Sequence, residues 1–185
     1  VMYHRGLDII IDLYGENHYN VAIFYVNMAS NYLKKKENDN ALKYASNAAN
    51  ILIGIYGNYH PHLGDIYYTI VEIYSDKKLY SDALHYCQKA FQALVKGYAE
   101  DDILNNPPLQ DINSKPILLE TLFKKAKAFN KLYATSSQNL QDIKMALATF
   151  DLTSTLIDKM RTGYKIESSQ LAFGETIKQI YDEAI

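Results

Sequence analysis

The chain lacks several residue types and segments on which whole classes of proteins depend. Its 185 residues include no tryptophan, one cysteine, 8 glycines and 4 prolines. The single cysteine, Cys87, excludes an internal disulfide framework and any metal site built from several cysteines. It fits a reducing compartment, so a cytoplasmic location is expected. Because helix-breaking residues are this scarce, an all-α chain is favoured.

A large net charge and long apolar runs are also missing. The net charge is −2 and the isoelectric point is near 6.2, so the basic footprint that nucleic-acid binding needs is absent from the composition. No run approaches the roughly 18 apolar residues of a membrane span, and no signal-peptide pattern begins the sequence. The chain starts at Val1 inside a helical pattern and stops at Ile185 without a turn signal. We therefore expect a fragment of a longer protein.

What the chain does have is an internal repeat with an offset of 42 residues. The repeated residues, in pairs, are Tyr14 and Tyr56, Gly15 and Gly57, His18 and His60, Tyr25 and Tyr67, Tyr32 and Tyr74, Ala41 and Ala83, Tyr44 and Tyr86, Ala48 and Ala90, and Leu52 and Leu94. A period of about 20–50 residues is typical of stacked units that cannot bury their apolar faces alone. Within each unit, apolar spacings of three and four predict two helices. The sequence predicts antiparallel helix pairs, about seven helices in total.

Breaks in the repeat predict how the chain is organised. The predicted segments are 1–98 for the regular part (1–13 the last helix of a preceding repeat, 14–55 and 56–98 one repeat each), 99–115 a long loop, 116–164 a divergent third helix pair and 165–185 a terminal helix. Gly57 is expected to end one helix and Pro61 to begin the next. The first repeat is expected to have helices from Ala22 to Lys36 and from Ala41, the latter capped by Asn40.

Each unit resembles a tetratricopeptide repeat, in which an aromatic, a small residue and a tyrosine mark helix A and alanines mark helix B. The matching residues are Tyr25, Met28, Ala29, Tyr32, Ala41, Ala45 and Ala48 in the first unit, and Tyr67, Ile70, Val71, Tyr74, Ala83, Cys87 and Ala90 in the second. The 42-residue length, with YGENH and YGNYHP before helix A, is similar to the long variant of kinesin light chains. The resemblance implies a right-handed α-solenoid that acts as a non-catalytic protein-interaction scaffold.

The second half of the chain contains the stretches NPPLQDINSKPILLETLFKKAKAF, MALATFDLTSTLIDKMR and IYDEAI. In these stretches it resembles the repeat region that precedes a CHAT domain, a caspase-like module, in bacterial proteins. The resemblance implies that a caspase-like domain follows Ile185 and that these repeats are its regulatory N-terminal part. The expected partner is then a protein, a peptide or that C-terminal domain. Self-association through exposed solenoid ends is a further possibility.

The family resemblance also places a binding groove along the A helices, which line the concave side of such solenoids. The groove residues it implies are Asn27, Ser30, Lys34, Asp65, Tyr68, Thr69, Glu72, Asp76, Lys124, Lys127 and Lys131. Asn27 matches the family's groove asparagine, and Thr69 replaces it in the next unit. The charge runs from mixed through acidic to basic, which would steer an extended peptide of opposite pattern. The alternative is an ordinary solvated helix face.

Catalytic and metal-binding constellations do not stand out. His85 and Cys87 lie two residues apart on a predicted helix and point about 200° apart, so they cannot pair, and Cys87 is expected to be a packed thiol. His18 and His60 are expected to bond turns or caps, because the usual metal-ligand spacings are missing. No enzyme activity, cofactor or metal is predicted. A sensor module that binds a small molecule or signalling peptide, suggested by the 17 tyrosines, stays open as the alternative.

Overall fold

The fold consists of α-helices that follow one another in antiparallel pairs. A computed structural model describes residues 2–163. The helices are α1 (Met2–Tyr14), α2 (Tyr19–Lys34), α3 (Asn38–Tyr56), α4 (Pro61–Asp76), α5 (Tyr80–Leu94), α6 (Lys115–Leu132) and α7 (Leu140–Gly163). Among these residues the β-structure is limited to an isolated bridge between Val95 and Ile112. The predicted all-α solenoid of about seven helices is confirmed, whereas the helix predicted for 165–185 lies outside the described residues.

The pairs stack so that each one covers the apolar face of the next. Helix α2 packs on α3, α4 on α5 and α6 on α7, while α3–α4 and α5–α6 contacts join successive pairs. Helices α4 and α6, the first members of neighbouring pairs, also touch directly. One apolar cluster extends from Val71 and Phe91 to Leu122 and Leu156, so it crosses from the second pair into the third.

Small residues let the helices approach closely. The repeated alanines at 41, 48, 83 and 90 are fully buried. Gly64 of α4 is the tightest position, because a Cβ atom built there would lie 2.4 Å from Cδ2 of Leu94 on α5. The close contact therefore requires the absence of a side chain at this position.

Tyrosines fill the space within each of the first two pairs in the same way. Tyr44 of α3 stacks between Tyr25 and Tyr32 of α2, with ring centroids 5.9 and 5.3 Å apart. The residues one repeat later do the same: Tyr86 contacts Tyr67 at 6.1 Å and Tyr74 at 5.3 Å. These rings are packing elements, as expected for aromatic pairs at such distances.

The turns recur at the repeat spacing as well. Lys36 and Lys78, which follow the first helix of each pair, have φ angles of 61° and 59°. Gly57 ends α3 with φ 72° and Pro61 begins α4, both as predicted. Left-handed backbone is uncommon outside glycine, so its recurrence at two lysines shows that the turn geometry is part of the repeat.

Two predicted helix starts were wrong. Helix α2 begins at Tyr19, earlier than Ala22, because Nδ1 of His18 accepts a hydrogen bond from the backbone N–H of Asn20 at 3.1 Å and caps the helix. Helix α3 begins at Asn38, so Asn40 lies inside its first turn. The amide of Asn40 donates to a carboxylate oxygen of Glu37 at 2.9 Å and does not cap the helix.

The capping role expected for the repeated histidines is confirmed. Nδ1 of His60 accepts from the backbone N–H of His62 at 3.3 Å, which is the counterpart of the His18 cap. Both rings stack on the tyrosine four residues earlier, at 4.7 Å for His18 and 4.2 Å for His60. Burial, and then the neighbouring His62, lowers the pKa of His60, which keeps its Nδ1 available as an acceptor.

The long segment between α5 and α6 folds back along α5. The backbone N–H of Lys96 donates to the carbonyl of Asp111 at 3.1 Å, and that of Asn113 donates to the carbonyl of Leu94 at 3.0 Å. The side-chain amide of Gln88 donates to the backbone carbonyls of the loop at Asp102 and Asn105. The loop is therefore anchored to α5 both at its base and at its far end.

A buried lysine of α6 holds the same loop. Nζ of Lys125 donates to the carbonyl of Asn105 at 2.6 Å, and the side chain is fully buried. Its ammonium lies 5.2 Å from the ring centroid of Phe91 and 5.9 Å from that of Phe129. Burial lowers the pKa of Lys125 to about 8, with Cys87 and Asp102 opposing that effect.

The contact at Gly64 generates a stability prediction. Gly64→Ala should lower the free energy of unfolding by about 1–2 kcal/mol, because the added methyl group overlaps Leu94 and outweighs the better helix propensity of alanine. Gly54→Ala is the matched control, since that helical glycine has nothing within 4 Å of an added Cβ. It should be neutral or stabilising by up to about 1 kcal/mol. Urea unfolding of both variants is the measurement, and equal effects would contradict the close contact.

The buried lysine generates a pH prediction. Between the folded pKa of about 8 and the ordinary value of 10.5, the unfolded chain binds a proton that the folded chain does not, so raising the pH favours folding. Relative to Lys125→Met, the free energy of unfolding of the native protein should increase by up to about 3 kcal/mol as the pH rises from about 7.5 to about 10.5.

The comparison with Lys125→Met is needed because other groups act in the opposite direction. Burial raises the pKa of Cys87 and of Tyr98 to about 12, and both groups lower stability when they ionise in the unfolded chain. The variant retains both groups, so the difference between the two unfolding curves cancels the contribution of Tyr98 and reports Lys125 together with its coupling to Cys87. A difference between the two proteins' free energies of unfolding that does not change with pH would show that the pKa of Lys125 is not lowered in the folded protein.

Candidate protein-binding face

The predicted groove residues lie on the first helix of each pair. We call the surface formed by α2, α4 and α6 at these positions the A-face. Its predicted members are Asn27, Ser30 and Lys34 on α2, Asp65, Tyr68, Thr69, Glu72 and Asp76 on α4, and Lys124, Lys127 and Lys131 on α6. None of these eleven side chains is buried, and Asn27, Lys34, Asp76 and Lys131 are exposed. They are therefore accessible at the surface of the protein.

The centre of the A-face is held together by an ion pair between neighbouring units. Nζ of Lys124 on α6 lies 3.3 Å from Oε1 of Glu72 on α4. The hydroxyl of Tyr68, one turn earlier on α4, donates to the same oxygen at 3.4 Å. The structure thus brings together three of the predicted residues from two units.

A second ion pair links the first unit to the second. Nζ of Lys36, in the turn after α2, lies 2.5 Å from Oδ2 of Asp76 at the end of α4. Lys36 was not among the groove residues that the family resemblance implied. The separation of 40 residues, close to the repeat length, is the signal that could have revealed it. The acidic stretch predicted for α4 is therefore partly neutralised within the protein.

Asp65 lies at the other end of α4 in a less polar setting. Burial raises the pKa of its carboxyl group, and His62 opposes that shift. His62 in turn forms a 3.0 Å hydrogen bond with the hydroxyl of Tyr19 at the start of α2. The hydroxyl of Thr69 donates to the backbone carbonyl of Asp65 at 3.1 Å. Asp65 is hence partly withdrawn from solvent at this end of the A-face.

The lysines of α6 converge on a small pocket between the second and third units. The pocket has a volume of about 180 Å³, and the residues that line it are Ser75, Asp76, Tyr80, Lys124, Lys127, Ala128 and Lys131. Lys127 also holds its ammonium 5.3 Å from the ring centroid of Phe123. We call this pocket, with its three lysines, the lysine end of the A-face.

The neighbouring Lys125 points away from this surface. Sequence position alone does not separate it from Lys124 and Lys127, yet it is fully buried under the loop while they remain partly exposed. Its place among Leu118, Leu122 and Phe129 at helical spacings was the available signal. Of these four lysines of α6, Lys124, Lys127 and Lys131 therefore lie on the A-face and Lys125 is used for packing.

The side chains considered for catalysis are placed as structural groups. Cys87 is fully buried, its Sγ lies 4.0 Å from the carbonyl of Thr121, and burial raises its pKa to about 12, so the prediction of a packed thiol is confirmed. His85 is exposed on the other side of the helix. The adjacent loop carboxylates also have structural partners, since Asp101 accepts from the Gln92 amide at 2.8 Å and Asp102 accepts from the backbone N–H of Leu104 at 2.9 Å.

Residues 2–163 contain no group of three or more histidine, cysteine, aspartate or glutamate side chains placed to hold a metal ion. In the same range, no helix combines the length and the apolar character needed to cross a membrane.

Comparison with known proteins agrees with this architecture. Residues 20–94, which run from α2 to the end of α5, match the tetratricopeptide repeat family. A comparison with curated proteins found no match. Among solved structures, the chain is similar to the crystal structure of BtubC (BKLC) from P. vanneervenii, with a TM-score of 0.66 and 17% identity. That match covers 89% of this chain and 57% of BtubC, so the chain spans little more than half of that protein's length. The fold is an all-α solenoid of the tetratricopeptide type.

The ion pair at the centre of the A-face generates a third prediction. Lys124 and Glu72 should couple by about 0.5–1 kcal/mol, because their side chains are only 22% and 34% exposed. A double-mutant cycle with Glu72→Gln and Lys124→Gln, followed by urea unfolding, measures this energy. High salt should reduce it.

The Lys77–Asp39 pair provides the comparison for that cycle. Its atoms are 2.7 Å apart, yet Asp39 is 91% exposed. Coupling there should be smaller because water screens the pair more fully. A larger coupling at the exposed pair would contradict the view that the A-face partly shields Lys124 and Glu72.

Proposed function

We propose that this chain is a non-catalytic scaffold that binds a protein or peptide partner along the A-face. The observation that carries the proposal is a continuous accessible surface across α2, α4 and α6. It lies on a fold that matches a repeat family of interaction proteins over residues 20–94. Solenoids of stacked repeats use their extended concave surfaces for binding.

An extended segment fits this surface better than a compact ligand. The predicted contact residues follow the stacking direction from Asn27 on α2 to Lys131 on α6. Along that direction they offer an amide, a hydroxyl and an ammonium group on α2, three carboxylates and two hydroxyls on α4, and three ammonium groups on α6. A partner that runs across the helices would meet these groups in sequence, and charge complementarity would set its register.

A finer role follows from the resemblance of the second half to repeat regions that precede CHAT domains. In this proposal the chain is the regulatory N-terminal part of a larger bacterial protein. It would bind a signal on the A-face, or pack against a caspase-like C-terminal domain and hold it inactive. The support is the sequence resemblance in 106–129 and 145–161. These two stretches overlap α6 and α7.

The alternative of a small-molecule sensor has less support. The tyrosines that suggested it, such as Tyr25, Tyr44 and Tyr86, stack within the helix pairs. The pocket at the lysine end has a volume of about 180 Å³, below the roughly 300–1,000 Å³ of typical ligand sites. A larger depression of about 400 Å³ lies at the turns around Lys36 and Lys77, and its lining is entirely polar.

A site-specific blocking experiment tests the proposed function. Cys87 is the single cysteine and is buried, so an introduced surface cysteine can be labelled alone with a maleimide-linked polyethylene glycol. Label on Asn27→Cys should reduce the capture of a partner at least about tenfold, because the polymer covers the A-face.

The matched control carries the same label on the opposite side. His85→Cys places the polymer on α5, whose exposed face belongs to the second helices. Capture should be unchanged in this variant, and both labelled proteins should keep the helical signal of the native chain. Equal loss in the two variants, or loss with His85→Cys alone, would overturn the A-face as the binding surface.

A further inference from the structure

We propose that the contact between the first and second helix pairs is weakened in mildly acidic solution, because His60 caps α4 only while its ring is neutral. The contact lies where the end of α3 meets the starts of α2 and α4, and we call it the α3–α4 junction. Its rings are those of Tyr19, Tyr56, His60 and His62. The device is a property of the fold and acts whatever the A-face binds.

The four rings of the junction form one continuous cluster that joins three helices. The ring centroid of His60 lies 4.2 Å from that of Tyr56 on α3 and 5.3 Å from that of His62 on α4. Tyr19 of α2 completes the cluster, 6.2 Å from Tyr56 and 5.8 Å from His62. Its hydroxyl group and Nε2 of His62 are 3.0 Å apart, within hydrogen-bond distance. A charge that forms on His60 therefore lies where all three helices meet.

The cap on α4 requires an unprotonated nitrogen. Nδ1 of His60 accepts a hydrogen bond from the backbone N–H of His62 at 3.3 Å. A ring nitrogen of histidine accepts only in the neutral imidazole, because both nitrogens carry a proton in the charged form. Protonation of His60 would therefore remove the cap. It would also place a positive charge at the N-terminus of α4, where the helix dipole disfavours it.

The surroundings of His60 favour the neutral ring. The titratable side chains near it, taken element by element, are Tyr19 on α2, Tyr56 on α3, Tyr59 in the turn, and His62 and Asp65 on α4. Tyrosines stay uncharged near neutral pH. The carboxyl group of Asp65 interacts with His62, but burial outweighs that interaction and raises its pKa. Burial, and then His62, lowers the pKa of His60 from its ordinary value of 6.5.

The direction of that shift sets the direction of the pH effect. Below pH 6.5 the unfolded chain takes up a proton on His60 before the folded chain does, so acid favours unfolding. The stabilisation from neutral His60 is complete above pH 6.5 and is lost as the pH falls from there through the folded pKa. At lower pH the folded chain carries the charged ring, and α4 has lost its cap.

The first unit carries the same cap without a second histidine. Nδ1 of His18 accepts from the backbone N–H of Asn20 at 3.1 Å, and its ring stacks on Tyr14 at 4.7 Å. Under the 42-residue offset, Asn20 takes the place of His62. Acid therefore adds one charge at the start of α2 and up to two at the start of α4. The α3–α4 junction should respond more strongly than its counterpart in the first unit.

A nuclear magnetic resonance titration of the native protein from about pH 7.5 to about pH 5 tests whether the ring and the cap change together. The pKa of His60 should lie below 6.5, and the backbone amide of His62 should shift with the same midpoint. His62→Asn copies the first unit and should raise the pKa of His60, because the neighbouring positive charge is gone. A His60 ring that titrates while the amide of His62 keeps its shift would overturn the release of the cap.

Urea unfolding over the same pH range tests whether stability follows the cap. The midpoint urea concentration of the native protein should fall as the solution becomes more acidic. His60→Asn should reduce that fall by about one third or more, because asparagine caps a helix and does not titrate. An undiminished fall in His60→Asn would contradict the proposal.

Two further histidine variants are the controls for the unfolding experiment. His85→Asn removes an exposed ring on α5, outside the junction, and should keep the native fall. His18→Asn removes the equivalent cap of the first unit and should reduce the fall less than His60→Asn does. If His85→Asn matched His60→Asn, the proposal would be overturned, because any histidine charge would then suffice. A larger effect of His18→Asn would place the acid-sensitive contact in the first unit and reject the α3–α4 junction.

Discussion

The structure depends on one constraint, which is that no helix pair can bury its own apolar face. The cluster that joins Phe91 of α5 to Leu122 of α6 and Leu156 of α7 belongs to two units at once. Such a cluster forms only if successive pairs stack in one register, and Gly64 with the repeated alanines sets how closely the helices of a pair approach. The orientation of every first helix, and hence the A-face, follows from this packing.

The charged groups of the A-face become neighbours only through that stacking. Lys36 and Asp76 are 40 residues apart in the chain, and Glu72 and Lys124 belong to different units. Each contact is weak because water screens it. Together they determine which charges the surface presents, so the surface is a property of the array and is not contained in any single repeat. A change that alters the stacking should therefore alter recognition without touching a binding residue.

Local regularity made much of the fold predictable from the sequence. The 42-residue offset identified the first two pairs, and the positions of Gly57 and Pro61 followed from their backbone preferences. The start of α3 was missed because Asn40 resembles a cap, although the chain is already helical at Asn38. The inward direction of Lys125 was signalled only by its helical spacing from Leu118, Leu122 and Phe129. The reach of Lys36 depends on which element lies opposite it, and the composition of a single helix does not encode that.

The position of Cys87 gives the protein an internal reporter of separation between its units. Its sulfur lies at the α5–α6 junction, 4.0 Å from the carbonyl of Thr121, and burial keeps the thiol protonated. A reagent can reach this sulfur only when the second and third pairs part or when the region unfolds locally. The rate of thiol modification therefore measures how often the solenoid opens at that junction, and a partner that bridges α4 and α6 would slow it.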